Sequence, residues 1–347
     1  MITSLGLAPF SVSFPEMGIN DLQVNREAFS VGGFSIYWYG ICIVLAFIVC
    51  VLLALRHAPR YQLDPDKVID YPLFAIPSAI IGARLYYVLS NWSYYSSDLK
   101  LIFDTRHGGL AVLGGVLLAI LAVYLVAKKK KESVSMIFDY LIVYIPLGQA
   151  IGRWGNFFNQ ETFGTNTNLP WGMMSDETAR YITAFLPGMN PAVPVHPAFL
   201  YESIADLLIF FILLSIRKRS KAPYTTMSAY FILYGAIRFA IEGIRTDSLY
   251  IGTTQLRTSQ VLSAVLLVTG LVVMAVVHYM GLKRIGYSPE RQGNLTDEEK
   301  EVLAKYSVLL HDEEDEDLDN QPDNTDSFQE AMDFKEKLQD EDDLLEE

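Results

Sequence analysis

The sequence has few charged residues and almost no cysteine. Charged side chains occupy 19% of its 347 positions and hydrophobic ones 51%, whereas soluble domains are usually about 25% charged. Its two cysteines, Cys42 and Cys50, lie in one apolar run, so the chain has neither a disulfide framework nor a metal-binding cysteine pattern. These shortages exclude a secreted disulfide scaffold, a soluble cytosolic enzyme and a nucleic-acid-binding protein. They favour a protein whose partners include membrane lipids and no nucleic acid.

The acidic residues are concentrated at one end of the chain. Residues 295–347 contain 22 Asp and Glu against four Lys, although the whole chain has a net charge of only −13. The remaining body is therefore apolar and mildly basic. Because so acidic a segment cannot bury a hydrophobic core, we expect residues 286–347 to form a disordered cytoplasmic tail.

Apolar stretches of nearly the length that a membrane-crossing helix needs, about 20 residues, occur along the chain. They are Phe34–Leu55, Val68–Leu89, Leu110–Ala127, Met136–Gly155, Ala198–Ile216, Thr226–Ile244 and Val261–Met280. Clusters of Lys and Arg follow every second stretch, beginning with the first, as expected of cytoplasmic loops. The sequence therefore predicts an all-α integral membrane protein with about seven transmembrane helices, an outer N-terminus and a cytoplasmic C-terminus.

The predicted spans divide the chain into three regions. Residues 1–33 are an extracytoplasmic N-terminal segment without the pattern of a cleavable signal peptide. Residues 34–285 form the membrane domain, and residues 286–347 are the acidic tail. Within the membrane domain, a stretch at about 157–197 is rich in Pro, Gly, Asn and aromatic residues. We expect this stretch to form a small ordered extracytoplasmic cap.

Ionisable side chains inside apolar spans are costly to bury and therefore point to function. The predicted spans contain Arg84, Arg153, Arg238 and Glu242, with Arg245 at the end of the sixth. The predicted orientation places all five in the outer half of the membrane. Three arginines against one span glutamate leave positive charge uncompensated. That excess favours an anionic ligand, such as a phospholipid headgroup of the outer leaflet.

These candidates also have purely structural explanations. Arg238 and Glu242 are four residues apart and can neutralise each other as a clamp between helices. Arg153, with Asn156 and Asn159, can belong to a frayed helix end that lipid headgroups wet. A guanidinium and two amides on one stretch nevertheless suit a phosphate or carboxylate well.

Five motifs of the sequence resemble those of the prolipoprotein diacylglyceryl transferases. The longest, GRWGNFFNQETFG at Gly152–Gly164, matches a signature in which an Arg, two Asn, a Glu and a Gly recur at this spacing. The others follow in the family's order: YWYG (Tyr37–Gly40), GARLYYVL (Gly82–Leu89), HPAFLYE (His196–Glu202) and YGAIRFAIEGIR (Tyr234–Arg245). The resemblance covers about residues 30–285 and excludes the acidic tail.

The resemblance implies a specific reaction in the bacterial plasma (inner) membrane, with the active site towards the outer leaflet. Enzymes of this family move the diacylglyceryl group of phosphatidylglycerol to the lipobox cysteine thiol of a prolipoprotein signal peptide. A thioether forms and glycerol phosphate leaves. Because the nucleophile belongs to the substrate, the chain needs none of its own, and we expect no cofactor and no metal.

The resemblance also implies site residues, position by position. Arg153, Arg238 and Glu242 are the implied catalytic residues, with both arginines on the phosphate and Glu242 orienting Arg238. The expected lipid-binding positions, besides Arg153, are Tyr39, Arg84, Asn156, Asn159, Glu161, Gly164, His196 and Arg245.

One position departs from the family's pattern. The family often has His or Tyr before the second Gly-Gly pair, where it is assigned to help deprotonate the thiol, but HGGLAVLGG has Leu113 there. His107 is then our candidate base, and His196, Glu161 and Glu242 are alternatives. The field of the arginines can also lower the pKa of the thiol without any base. A catalytically impaired relative that binds lipid or signal peptide, and an anion transporter, remain as alternative functions.

Overall fold

The computed structural model describes residues 10–61, 63–104, 108–220, 222–248, 250 and 254–280. The predicted acidic tail lies outside the described residues, and so does His107.

The described part of the chain is mainly helical. Its α-helices are α1 (Trp38–His57), α2 (Pro65–Val68), α3 (Asp70–Ser90), α4 (Trp92–Tyr95), α5 (Val112–Lys129), α6 (Val134–Leu141), α7 (Tyr144–Asn159), α8 (Asp176–Phe185), α9 (Ala198–Arg219), α10 (Thr225–Glu242) and α11 (Thr258–Tyr279).

Six helical stretches in the described residues are long and apolar enough to cross a membrane. They are Trp38–Tyr61, Pro65–Ser90, Val112–Lys129, Val134–Asn159, Ala198–Arg219 and Thr258–Tyr279. The predicted sixth span coincides with α10, whose 18 residues include Arg238 and Glu242. These helices confirm the prediction of an all-α, multi-pass membrane protein. The count of seven spans and their orientation remain predictions.

The structure differs from the predicted spans at two places. The first apolar stretch starts as a strand, Phe34–Tyr37, and helix α1 begins only at Trp38. The fourth stretch is interrupted between α6 and α7 by a turn at residues 142–143. Pro146 follows this turn. Because proline has no N–H and crowds the carbonyl four residues earlier, it cannot continue a helix through Ile142.

Short β-strands surround the beginning of the helical domain. The strands β1 (Phe10–Phe14), β2 (Ile19–Val24) and β5 (Met174–Ser175) form an antiparallel sheet in the order β2-β1-β5, and β3 (Glu27–Val31) pairs with β4 (Phe34–Tyr37). Strand β1 thus joins the cap that the sequence predicts at about 157–197. The cap core consists of Phe10, Val12, Val24, Phe157, Phe163, Met173, Ile182, Val195 and Phe199.

Close packing of α3 against α5 depends on two glycines. A Cβ atom at Gly82 would lie 2.4 Å from the carbonyl oxygen of Gly114, and a Cβ at Gly114 would lie 2.3 Å from that of Gly82. No side chain fits at these distances. Gly114 therefore lets the two helix backbones approach each other.

Aromatic side chains pack around the C-terminal end of α9, which lies away from the cap. Arg217, only 2% exposed, is stacked on the rings of Tyr61, Tyr140 and Tyr144 at 4.4, 5.1 and 5.2 Å. These tyrosines belong to the main hydrophobic core, which also contains Leu147 and Leu213. The helices thus enclose a packed interior below the cap.

Candidate active site

The end of α7 is a tight turn that folds a glutamate back over the helix. Gln160 and Thr162 adopt left-handed backbone angles, with φ of 53° and 63°. As a result the Glu161 N–H donates to the Asn156 carbonyl over 3.1 Å. The side-chain amides of Asn156 and Asn159 both donate to Glu161 Oε1, over 2.8 and 3.4 Å. The signature residues of this helix end therefore hold the carboxylate of Glu161 in place.

Gly164 connects this turn to the start of α9 and the end of α10. Its N–H donates to the His196 carbonyl over 2.8 Å, and the Thr165 N–H donates to the Ile244 carbonyl over 2.9 Å. A Cβ at Gly164 would lie 2.8 Å from the Cβ of His196 and 3.1 Å from the Ile244 carbonyl oxygen. A larger residue would push the three segments apart. The signature glycine thus lets three distant motifs meet.

Three arginines converge on one buried carboxylate, Glu202, which is 3% exposed. Arg153 pairs with its Oε2 through Nη2. The Nη1 atoms of Arg238 and Arg245 lie 2.5 and 3.3 Å from its Oε1. Glu242 adds a second carboxylate, 2.8 Å from Arg238 Nη2 and 3.8 Å from Arg245 Nε. We call these five residues the arginine cluster.

The expectation of uncompensated positive charge, with one span glutamate facing three arginines, is wrong. Glu202 and Glu242 both lie in the arginine cluster, and Asp247 accepts hydrogen bonds from Arg245 over 2.8 and 2.9 Å. The sequence signal for Glu202 was available, since it is an ionisable residue inside an apolar stretch and ends the HPAFLYE motif. Among the described residues the guanidinium of Arg153 pairs only with Glu202, so its other donors remain available to a ligand.

The acidic neighbours of Arg245 stabilise its charged form. Burial lowers the pKa of this guanidinium, but the hydrogen-bonded Asp247, together with Glu202 and Glu242, more than offsets that effect and raises the pKa above its ordinary value. Arg257, which the sequence did not single out, donates to the Glu242 carbonyl from the start of α11. Arg245 therefore remains charged at any physiological pH.

Arg84 does not join the arginine cluster. All five N–H donors of a guanidinium are used here by carbonyl oxygens of one loop, those of Leu101, Ile102, Asp104, Gly108 and Gly109. Gly109 has a φ of 84°, and a Cβ there would lie 2.4 Å from Arg84 Nη1. Arg84 has no donor left for a phosphate, so it positions the loop that leads to Gly108 and Gly109.

Tyr39 lies beside both Glu161 and the arginine cluster. Its ring packs on Gly155, where a Cβ would lie only 2.7 Å from the ring. Its phenol interacts electrostatically with Glu161 and with Arg153. The structure thus brings Tyr39 next to the arginine cluster, and its role in binding lipid remains a prediction.

His196 belongs to a hydrogen-bonded chain at the cap. Its Nδ1 lies 3.0 Å from the hydroxyl of Tyr201, which also accepts from Trp171 Nε1 over 2.7 Å. Burial lowers the pKa of His196, so its imidazole is neutral at pH 7. Leu113 lies in the first turn of α5 and is 40% exposed.

A pocket of about 820 Å³ opens beside the arginine cluster. Its lining includes Arg26, Tyr39, Glu161, Glu177 and Asp247. No group of three or more His, Cys, Asp and Glu within the described ranges is placed to hold a metal ion.

Fold and site together define a multi-pass membrane protein with a buried arginine–glutamate cluster beneath an ordered cap. The sequence profile of the prolipoprotein diacylglyceryl transferases matches residues 26–276. The chain therefore belongs to the prolipoprotein diacylglyceryl transferase family.

Curated relatives support this assignment. A protein of Finegoldia magna is 44% identical over 250 residues, which are 72% of this chain and 94% of that protein. A protein of Clostridioides difficile is 43% identical over 249 residues, with the same coverage of both chains. One of Thermotoga maritima is 39% identical over 255 residues, 72% of this chain and 84% of its own. All three are named phosphatidylglycerol–prolipoprotein diacylglyceryl transferase.

Proposed function

We propose that this protein transfers the diacylglyceryl group of phosphatidylglycerol to the lipobox cysteine of prolipoproteins. The observation that carries the proposal is the convergence of three guanidiniums on one buried position beside a pocket. Such fixed donors in a site that excludes water are suited to the negative charge that develops on a departing phosphate.

Arg153 is the arginine that takes the lipid phosphate. Its side chain is 19% exposed, against 12% for Arg238 and 10% for Arg245, and it has the most uncommitted donors. Arg238 is fixed between Glu202 and Glu242 and adds a second positive charge. The planar fork of a guanidinium can bind two phosphate oxygens at once.

The reaction replaces a carbon–oxygen bond with a carbon–sulfur bond and transfers one proton. The thiol sulfur attacks the carbon of the diacylglyceryl group that carries the phosphate. The bond between this carbon and the phosphate oxygen breaks, and both of its electrons leave with glycerol phosphate. The thiol proton passes to a base or to solvent. Glu161, exposed at the pocket and held by two amides, can accept a proton there. His196 is neutral at pH 7, but its Nδ1 is bound to Tyr201.

We place the protein in the bacterial plasma membrane with the arginine cluster towards the outer leaflet. Support comes from the basic residues at the ends of α1, α5 and α9, all distant from the cap, because such residues are enriched on the cytoplasmic side. Phospholipid and translocated signal peptide then meet at the capped end.

The alternative functions have less support. An anion transporter needs a polar path through the membrane, whereas the interior below the arginine cluster is filled by the core around Tyr140, Leu147 and Leu213. A lipid-binding relative without activity was suggested only by Leu113.

A direct assay tests the proposal. Purified protein is incubated with phosphatidylglycerol and a lipobox peptide, and the peptide is analysed by mass spectrometry. A mass gain of one diacylglyceryl group at the cysteine is expected. An unmodified peptide from folded protein would contradict the proposed activity and favour a binding role.

The role of His107 predicts a pH-dependent defect. If His107 accepts the thiol proton, His107→Ala lowers the transfer rate by about 10²-fold near pH 6.5. The loss is smaller near pH 9, because a thiol with a pKa of about 8.5 then ionises unaided. Transfer rates measured from pH 6 to 9 check this, with His278→Ala, at the end of α11, as the control histidine. A pH-independent loss, or none, would leave the base role to Glu161 or to the arginine field.

We expect deletion of the acidic tail to change the activity little. Because anionic lipids of the cytoplasmic leaflet repel its 22 carboxylates, we expect the tail to extend away from the membrane. Deleting residues 294–347 should therefore change the specific activity in detergent by less than about twofold. A large loss in folded, truncated protein would make the tail part of the catalytic unit.

A further inference from the structure

The pocket beside the arginine cluster is built mainly by the cap. One wall comes from the end of β4, where Tyr37 lies, another from the turn at Gln160–Phe163, and a third from Glu177 and Tyr181 of α8. These three elements lie outside the long apolar helices, and the lining is completed by Tyr39 and Gly40 at the start of α1 and Asn159 at the end of α7. The pocket therefore lies at the capped ends of these helices, where it can receive a chain that leaves the membrane.

The pocket and the arginine cluster share a wall. Thr162 and Asp247 line the pocket, and both accept hydrogen bonds from Arg245, over 3.5 Å and 2.8 Å. A molecule in the pocket is therefore next to Arg245, which belongs to the same cluster as Arg153 and Arg238, the arginines that we assign to the lipid phosphate. Its volume of about 820 Å³ is within the range of sites that enclose a ligand.

The charge of the pocket differs from that of the arginine cluster. Its lining holds three carboxylates, those of Glu161, Glu177 and Asp247, against one guanidinium, that of Arg26. Arg26 is already engaged, since its Nη2 lies 3.3 Å from Glu177 and donates to the Asn159 carbonyl over 3.1 Å. Glu177 and Asp247 are paired as well, with Arg26 and with Arg245, so among the described residues Glu161, held by two amides, is the lining carboxylate without an arginine partner. An anionic headgroup would be repelled here, whereas a neutral or basic chain would not.

We propose that this pocket binds the acceptor polypeptide just beyond its reactive cysteine, and that its carboxylates select against acidic side chains there. The inference rests on the proposed function. With the lipid phosphate on the arginine cluster, the thiol must arrive from an adjacent space. Residues that follow the membrane-embedded part of the acceptor emerge at the cap, where Tyr37 and Tyr181 offer aromatic contacts.

A peptide series tests this selectivity. Three lipobox peptides carry Asp, Asn or Lys at the second residue after the cysteine and are otherwise identical. On phosphatidylglycerol vesicles we expect kcat/KM for the Asp peptide to be about fivefold below that for the Asn peptide, mainly through KM. Glu177→Gln should reduce the difference in kcat/KM between the Asn and Asp peptides, because it removes one carboxylate and frees Arg26 from its ion pair.

A matched variant separates the pocket from general surface charge. Thr183→Lys also makes α8 more positive by one charge, at an exposed position that does not line the pocket. It should leave the difference in kcat/KM between the Asn and Asp peptides unchanged. Equal kcat/KM for the Asp and Asn peptides, or an equal shift in both variants, would overturn the inference while leaving the transferase intact. If none of the peptides is modified, the proposed function fails and the inference fails with it.

Crosslinking gives a second readout that does not require turnover. A peptide with a photoreactive residue at the same position should attach to β4, α8 or residues 159–163, located by mass spectrometry. Attachment to the apolar helices at positions other than the lining residues Tyr39, Gly40 and Asn159 would contradict the inference.

Discussion

Replacing Arg153 or Arg238 with leucine is expected to abolish diacylglyceryl transfer, with a loss of at least about 10³-fold in rate. Each variant removes a guanidinium that pairs with Glu202 and to which we assign the lipid phosphate. Lysine should restore little activity at either site, because a point charge cannot reproduce the planar fork. The assay is the mass gain of a lipobox peptide on phosphatidylglycerol vesicles.

The two variants should differ in stability. Without Arg153, Glu202 keeps Arg238 and Arg245 as partners, so its charge stays compensated. Without Arg238, Glu242 loses its partner at 2.8 Å and retains only Arg245 at 3.8 Å. We therefore expect Arg238→Leu to melt at a lower temperature in detergent than Arg153→Leu.

A surface arginine provides the control. Arg180 is 73% exposed and pairs with Glu177 on α8. Arg180→Leu removes the same charge and should retain transfer. Full activity of Arg153→Leu or Arg238→Leu would remove the phosphate clamp from the mechanism.

The second large effect is expected at Glu202. Glu202→Gln leaves three guanidiniums around a neutral amide in a buried site. Removing one partner from a buried ion pair typically costs about 3 kcal/mol or more, so we expect a marked drop in thermal stability. Transfer should also fall, because Arg153, Arg238 and Arg245 lose the carboxylate that orients them.

Glu177→Gln is the matched stability control for Glu202→Gln. Glu177 also pairs with two arginines, Arg26 and Arg180, but its side chain is 25% exposed. Because solvent screens such pairs, the loss of stability should stay below about 1 kcal/mol. Unfolding curves in one detergent, together with transfer rates, compare the two. If Glu202→Gln melts like Glu177→Gln and keeps its activity, Glu202 does not organise the arginine cluster.

The motif arginines could be predicted from the sequence, but their shared partner could not. Arg238 and Glu242 are one helical turn apart, and this local spacing predicts their ion pair. Glu202 is 36 residues from Arg238 and 43 from Arg245. Its contact with them depends on how α9 packs between α7 and α10, which no local pattern contains. The false excess of positive charge had a different cause, because the count along the spans left out Glu202 although it lies inside the apolar stretch Ala198–Ile216.

Arg84 illustrates a different limit. As an ionisable residue in an apolar stretch, it was expected to bind the lipid headgroup. The structure gives all its donors to the carbonyls of one loop. Two residues of that loop, Gly108 and Gly109, have positive φ angles and turn their carbonyls towards Arg84. Backbone acceptors carry no sequence signature, so this partner could not be inferred.

The sequence by itself determined the membrane class, most helix bounds within a few residues, and the motifs that define the family. The predicted stretch Ala198–Ile216 lies within α9, for example, because hydropathy acts locally along one helix. Only the tertiary structure decided that Glu202 neutralises three arginines, that β1 completes the cap, and that Gly164 joins three motifs. These contacts link residues far apart in the chain, so their partners are fixed by helix packing and chain reversal rather than by any local pattern.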